Sequence, residues 1–139
     1  MAKKSKKVQE IIIGKGLSDL PFGVTQDEVR EIFGKPDSEN KLDLKDDVTV
    51  TWDYWELGLS LDFDKSDDFT LSSMEVSDKN ISLLGEKLIG KKEKEIREAI
   101  VKFKLGTPEE EDGGFGFEDL GIYFWFAGGT LEEIHWSKV

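Results

Sequence analysis

The chain has 139 residues, 37% of them hydrophobic, and is long enough for one ordinary globular domain. The absence of cysteine excludes a disulfide framework, a thiolate nucleophile and cysteine-ligated metal sites. The formal net charge is −11, and since four lysines (Lys3, Lys4, Lys6 and Lys7) make the first seven residues basic, the remainder carries −15. Such a charge disfavours nucleic acid and anionic membranes as partners. It favours a basic partner, although acidity that only maintains solubility gives the same composition.

The N-terminal segment predicts neither secretion nor membrane insertion. The lysines are followed only by the apolar run 11–13, which is shorter than the apolar region of a secretory signal. No apolar run in the chain is long enough to span a bilayer. We therefore expect a cytoplasmic protein in which residues 1–19 form a basic tail and a lead-in, with a short strand over residues 8–13.

The first predicted helix covers residues 25–33. Thr25 and Glu28 have the spacing of a capping box, in which each side chain binds the backbone amide of the other. An apolar stripe with helical spacing follows, and Gly34 and Pro36 end the helix. Three strands are predicted after it from apolar residues that alternate with polar ones, at 48–55, 59–63 and 71–76.

The second half of the chain predicts the same succession of elements. A helix is expected over residues 92–102, followed by strands at 115–117, 122–126 and 131–136. Two glycine-rich stretches match neither the Walker nor the dinucleotide-binding pattern, and we interpret their glycines as turn residues. They are Gly14-Lys15-Gly16 and Gly113-Gly114-Phe115-Gly116.

Three segments of the first half recur, in the same order, in the second. The matched segments are 22–33 with 89–100 at an offset of 67 (23 to 90), 56–63 with 119–126 at an offset of 63 (56 to 119), and 71–77 with 131–137 at an offset of 60 (71 to 131). Because the offset changes only between elements, the pattern indicates a duplicated unit with shorter loops in the second copy.

These observations predict an α+β fold with one domain over residues 20–139. It would contain two tandem αβββ units, at 20–77 and 88–137, with the helices on one face of a mostly antiparallel sheet and the opposite face open. The sequence does not decide the oligomeric state.

The alternation within the strands separates a predicted core from a predicted binding surface. We expect the odd-numbered apolar residues of segment 59–63 and their equivalents in 122–126 to lie under the helices. The opposite face would then carry three aromatic side chains with carboxylates around them: Trp55, Tyr123, Trp125, Asp53, Asp62 and Glu118. Aromatic side chains on an open sheet face are typical of a protein-binding surface. Cross-strand pairing that only stabilises the sheet would produce the same pattern.

No residue pattern in the chain indicates a reaction. The single histidine, His135, lies near the end of the last predicted strand, without a nucleophile at a recognisable spacing. The carboxylates of Asp62, Asp64 and Asp67 lack the glycine and the spacing of an EF-hand loop. We therefore predict no catalytic residue, no metal site and no cofactor. The alternative is a small metal-assisted hydrolase that uses His135 and the clustered aspartates.

The pattern Phe22-Gly23-Val24-Thr25-x-x-Glu28-Val29-x-x-Ile32-Phe33-Gly34-x-Pro36 resembles the start of a repeat in the beta-lactamase-inhibitor-protein-like superfamily. Small outer-membrane lipoproteins of the SmpA/OmlA type share that plan. The resemblance implies tandem αβββ units with one concave sheet face, which in the inhibitor branch binds a protein. The chain lacks the acylated cysteine of the lipoproteins and the disulfides of the inhibitors. We expect a non-enzymatic protein-binding module, of the immunity or inhibitor kind, that neutralises a basic partner.

Overall fold

The computed structural model describes residues 9–139, so the expectations for the basic tail and for a strand beginning at Val8 concern residues outside it. In chain order the elements are β1 (Glu10–Ile12), β2 (Gly16–Leu17), β3 (Leu20–Pro21), α1 (Gln26–Phe33), β4 (Ser38–Leu44), β5 (Asp47–Tyr54), β6 (Leu59–Asp64) and β7 (Thr70–Val76). They continue with β8 (Ser82–Leu83), β9 (Glu86–Lys87), α2 (Glu93–Phe103), β10 (Glu109–Glu111), β11 (Gly114–Phe117), β12 (Ile122–Ala127) and β13 (Thr130–Ser137).

The strands form two sheets, and the α+β class is confirmed. The larger sheet has eight strands in the order β10-β11-β12-β13-β7-β6-β5-β4, and every neighbouring pair is antiparallel. The smaller sheet has the order β3-β2-β1-β8-β9. Strands β1 and β8 are parallel to each other, and the other neighbouring strands are antiparallel. Neither of the two helices in residues 9–139 has the length and apolar character needed to cross a bilayer.

Both helices begin where the sequence predicts. At the start of α1 the Glu28 amide donates to Thr25 Oγ1 at 3.2 Å, and the Thr25 amide donates to Glu28 Oε1 at 3.0 Å. In α2 the Lys92 amide donates in the same way to Glu95 Oε1 at 3.1 Å. These bonds satisfy amides that have no partner within the helix, and the buried residues Val29 and Phe33 then fix α1 to the core.

Two strands of the large sheet were not predicted, and both lie at its edges. Strand β4 is exposed along almost its whole length, and Leu42 and Leu44 are 58% and 53% exposed. Strand β10 consists of three exposed glutamates. An edge strand with little buried surface has no hydrophobic alternation, so its sequence carries no periodic signal. Charged side chains at such an edge oppose pairing with other chains.

Part of the predicted lead-in belongs to the core of the domain. Ile11 on β1 and Leu17 on β2 are 2% and 3% exposed and join the same apolar cluster as the large sheet. The indole Nε1 of Trp136, on β13, donates to the carbonyl oxygen of Gly16 at 3.0 Å. This bond connects the two sheets directly.

The core lies on one face of the large sheet, as the alternation predicts. Buried residues from six strands are Trp52, Tyr54, Leu59, Leu61, Phe63, Met74, Val76, Phe115, Phe117, Ile122, Phe124, Ile134 and Trp136. Both helices contribute to the same cluster. The residues between these positions point to the other side of the sheet.

The two halves of the chain make matching contacts at the offsets found in the sequence. The Gly23 amide donates to the Leu71 carbonyl at 2.9 Å, and the Gly90 amide donates to the Leu131 carbonyl at 2.8 Å. Each half also has an irregularity at the same place in its penultimate strand, between Asp62 and Phe63 and between Trp125 and Phe126. In each half the helix is followed by four strands that pair in sequence.

The halves meet where β7 pairs with β13 in the middle of the large sheet. In this antiparallel pair Glu75 lies opposite His135. Because the offset between the two strands is 60 (75 to 135), Glu75 faces the residue that corresponds to it in the other half. We refer to this position as the central pair.

Candidate functional site

The side of the large sheet opposite the core carries half-buried polar and aromatic side chains, which together we name the polar face. Its central members, all partly exposed, are Asp53, Ser60, Asp62, Ser73, Glu75, Tyr123, Trp125, Glu133 and His135. They alternate with the buried residues along β5, β6, β7, β12 and β13. The central pair divides this face into an acidic half and an aromatic half.

Hydroxyl groups hold the carboxylates of the acidic half in place. Ser60 Oγ donates to Asp53 Oδ1 at 2.6 Å. Asp62 accepts two such bonds, from Thr51 Oγ1 at 2.6 Å and from Ser73 Oγ at 3.0 Å. Hydrogen bonds to ionised groups are stronger than neutral ones, so these two carboxylates are fixed in orientation.

Two stacked rings dominate the aromatic half. Tyr123 and Trp125 lie with ring centroids 6.4 Å apart and planes 11° from parallel. Burial raises the pKa of Tyr123, and the nearby carboxylates of Glu118, Glu109 and Glu111 add to the rise. The stack therefore lies within reach of acidic side chains and stays uncharged at neutral pH.

Two glycines in β11 make room for this stack, which corrects their interpretation as turn residues. Gly116 lies opposite Tyr123 and Gly114 lies opposite Trp125 in the β11–β12 register. A Cβ atom on Gly116 would approach Tyr123 Cδ2 to 2.0 Å, and one on Gly114 would approach the Phe124 carbonyl oxygen to 2.0 Å. A glycine within a strand often marks such a close approach.

The central pair places the only histidine between two carboxylates. His135 Nε2 lies 2.7 Å from Glu133 Oε1, and its Nδ1 lies 3.6 Å from Glu75 Oε1. The rings of Trp125 and His135 make an edge contact, with centroids 5.9 Å apart and planes inclined by 61°. Burial raises the pKa of Glu75; the charge of His135 opposes this rise, whereas Asp62, Glu133 and Asp53 add to it. The ionised form of Glu75 is therefore less favourable here than it would be in water.

The polar face contains two clefts that share Glu75. One has a volume of about 200 Å³ and is lined by Asp53 and Trp55, among others. The second, also about 200 Å³, is lined by Asp62, Tyr123 and the central pair. Both are too small for a drug-sized ligand, which typically occupies about 300–1,000 Å³. The surface is therefore better suited to side chains of a partner or to a small ion.

The predicted site residues fall into separate groups rather than one cluster. Asp53 and Trp55 share one cleft, whereas Asp62 and Tyr123 share the other. Trp55 follows the end of β5 and is 70% exposed. The remaining predicted residues, Trp125 and Glu118, lie in the Tyr123 stack and in an exposed 3₁₀ turn after β11.

Of the three aspartates of the predicted hydrolase, Asp62 lines the same cleft as His135, whereas Asp64 and Asp67 have other partners. Asp67 pairs with Lys138, and Asp64 accepts a hydrogen bond from Thr49 at 3.2 Å. Within residues 9–139 one group of three potential ligands has atoms close enough to share an ion, and it consists of the central pair and Glu133. The sequence contains a signal for Glu75, which alternates with the buried Met74 and Val76 and matches His135 at the offset of 60. The predicted binding face does not include it.

Comparisons of the chain with protein families, with curated proteins and with solved structures found no match.

Proposed function

We propose that this protein is a non-enzymatic protein-binding module, of the immunity or inhibitor kind, whose polar face neutralises a basic partner. The observation that carries the proposal is the exposure of large aromatic rings among fixed carboxylates. Trp55 is 70% exposed, and the stacked Tyr123 and Trp125 are half-buried on the same side of the sheet as Asp53 and Asp62. Tryptophan, tyrosine and arginine supply most of the energy in protein interfaces.

The internal symmetry supports a fold that suits this role. We propose that the chain consists of two tandem αβββ units, each extended by one edge strand, with the helices on one face and the polar face open. The matching hydrogen bonds of Gly23 and Gly90 and the equivalent strand irregularities support this proposal. The beta-lactamase-inhibitor-protein-like superfamily, which the sequence of the first unit resembles, combines such units into a surface that binds protein.

The charge of the chain indicates the chemistry of the partner. Residues 9–139 contain all 30 acidic side chains of a chain with a net charge of −11, and the polar face carries several of them. An acidic surface attracts a basic protein over distances of about a Debye length and raises its association rate. We accordingly propose a basic protein partner in the cytoplasm, and no nucleic acid or membrane.

The test is a pairwise binding measurement by calorimetry, using the purified products of the genes adjacent to the gene for this protein. We expect a basic product to bind, with an affinity that falls as salt is raised. Trp55→Ala and Trp125→Ala should each weaken binding by about 30-fold, which corresponds to about 2 kcal/mol. Val101→Ala is the matched control, because Val101 is 76% exposed but lies on α2.

Two outcomes would contradict the proposal. Binding that is unchanged in both tryptophan variants but lost in the α2 control would place the interface elsewhere. Chemical conversion of the partner by the wild-type protein would favour the alternative, a metal-assisted hydrolase. The observation that favours this alternative is the position of His135 between two carboxylates.

A further inference from the structure

Three potential metal ligands lie close together on the central strands of the large sheet. Glu75, Glu133 and His135 each offer one ligand atom, and these atoms lie within 4.8 Å of one another. All three residues are half-buried and project from β7 and β13, the two middle strands of the large sheet. Sites on such rigid elements are held more precisely than sites on loops.

The carboxylate of Glu75 lacks the compensation that its neighbours have. Asp53 and Asp62 accept hydrogen bonds from hydroxyl groups. Among residues 9–139, no donor forms a hydrogen bond with the carboxylate of Glu75, which has only the 3.6 Å contact with His135 Nδ1. A half-buried carboxylate among other carboxylates is unfavourable unless a positive charge compensates it. A bound cation would supply that charge.

We propose that Glu75, Glu133 and His135 bind one divalent transition-metal ion, for which Zn²⁺ is the best-matched probe. Imidazole nitrogen together with carboxylate oxygen is a ligand set that Zn²⁺ accepts, and no thiolate is required. Ca²⁺ and Mg²⁺ prefer ligand sets made entirely of oxygen, so the imidazole disfavours them. This proposal concerns ion binding alone and does not depend on the proposed protein partner.

The distances fit this ion after one small movement. Two tetrahedral ligands about 2.0–2.1 Å from Zn²⁺ are about 3.3 Å apart, close to the 3.6 Å between His135 Nδ1 and Glu75 Oε1. The 2.7 Å contact between His135 Nε2 and Glu133 Oε1 is a direct hydrogen bond that leaves no room for an ion. Glu133 is therefore expected to break this bond and to turn its carboxylate toward the ion. Its side chain is 42% exposed, which permits the rotation.

The test is calorimetric titration of the full chain with ZnCl₂. We expect one ion per chain, and weaker binding of Ca²⁺ and Mg²⁺. His135→Ala and Glu75→Gln should each weaken Zn²⁺ binding by at least about tenfold. Asp62→Asn is the matched control, since it removes one charge from the same cleft but leaves all three ligands, and it should change the affinity by about threefold or less. Circular dichroism checks that every variant is folded.

Substitution of Co²⁺ gives a second readout, because direct coordination produces visible absorption bands that diffuse charge attraction does not. These bands should be present in wild type and in Asp62→Asn, and absent in His135→Ala and Glu75→Gln. The proposal is overturned if Zn²⁺ does not bind, or if one ion binds for every two chains. It is also overturned if Asp62→Asn weakens binding as much as Glu75→Gln does. Glu75→Gln retains nearly the shape of the native side chain, so the test does not depend on the stability of His135→Ala.

Discussion

Replacing Phe124 with alanine should destabilise the fold by about 4 kcal/mol. The side chain is fully buried, and its ring packs against those of Phe115 and Phe117, with centroids 5.5 Å and 6.4 Å away. Removal of a buried phenylalanine costs about 3–5 kcal/mol, and the loss of two aromatic pairs keeps this site above the lower end of that range. A domain of this size has about 5–15 kcal/mol of total stability, so the variant should remain folded.

The neighbouring substitution, Trp125→Ala, should cost only about 1–2 kcal/mol. Its ring lies on the polar face, half-buried, and loses only its stacking with Tyr123 and its edge contact with His135. Urea unfolding followed by far-UV circular dichroism measures both values without relying on tryptophan fluorescence. Leu61→Ala is a second control, because Leu61 is fully buried at the position equivalent to Phe124 and should cost about 2–5 kcal/mol. If Trp125→Ala costs more than Phe124→Ala, the assignment of the two faces is wrong.

Three further substitutions test other parts of the structure. The ammonium group of Lys138 holds the pKa of Asp67 below its usual 3.8. The ion pair therefore stabilises the fold fully above pH 3.8, and this stability is lost as the pH falls through the lower pKa of the folded state. Thermal melts of Asp67→Asn should therefore show a shallower acid limb, and an unchanged limb would contradict the assignment. Gly116→Ala should lower the free energy of unfolding by about 1–3 kcal/mol, because its methyl group would displace the Tyr123 ring. The displaced ring should also change the fluorescence of Trp125, on which it stacks, and a variant with the spectrum and stability of wild type would refute this. Arg97→Ala should lower the free energy of unfolding in urea by about 1 kcal/mol, because the guanidinium binds the exposed Glu110 and covers the Phe115 ring. The loss should be smaller at high salt, and a loss that does not depend on salt would refute the ion pair.

The helices and the inner strands could be predicted because their sequences carry periodic signals. The capping box at Thr25 and Glu28 is formed as predicted. The alternation of Leu59, Leu61 and Phe63 correctly identified the core face of β6. Burial of one face imposes a period of two on a strand, so the pattern follows from the same force that stabilises the sheet.

The edges of the large sheet and the small sheet could not be predicted in this way. The strand from Ser38 to Leu44 has one neighbour and little burial, so nothing imposes alternation on its side chains. Four strands of the small sheet have only two residues, which is too short for any period to appear. Their positions depend on tertiary contacts such as the bond from Trp136 to Gly16.

The candidate site was predicted in part. Alternation correctly assigned Tyr123, Trp125 and His135 to one side of the sheet. The grouping of His135 with Glu75 depends on the pairing of β7 with β13, two strands from different halves of the chain. Such long-range pairing has no local signal, so the sequence suggested the clustered Asp62, Asp64 and Asp67 as partners of His135 instead of Glu75.

The pairing of β7 with β13 allows an arrangement of side chains that a symmetric dimer of one half could not form. Suppose that one half were a separate chain and dimerised through its last strand. The residue at the position of the central pair would then lie opposite the same residue of the partner chain, because a two-fold axis makes such an interface self-complementary. Two glutamates or two histidines would then face each other there. Joining both halves in one chain removes that identity, so the two sides can diverge. A glutamate opposite a histidine is therefore an arrangement available to the single chain and closed to any symmetric pair of its halves.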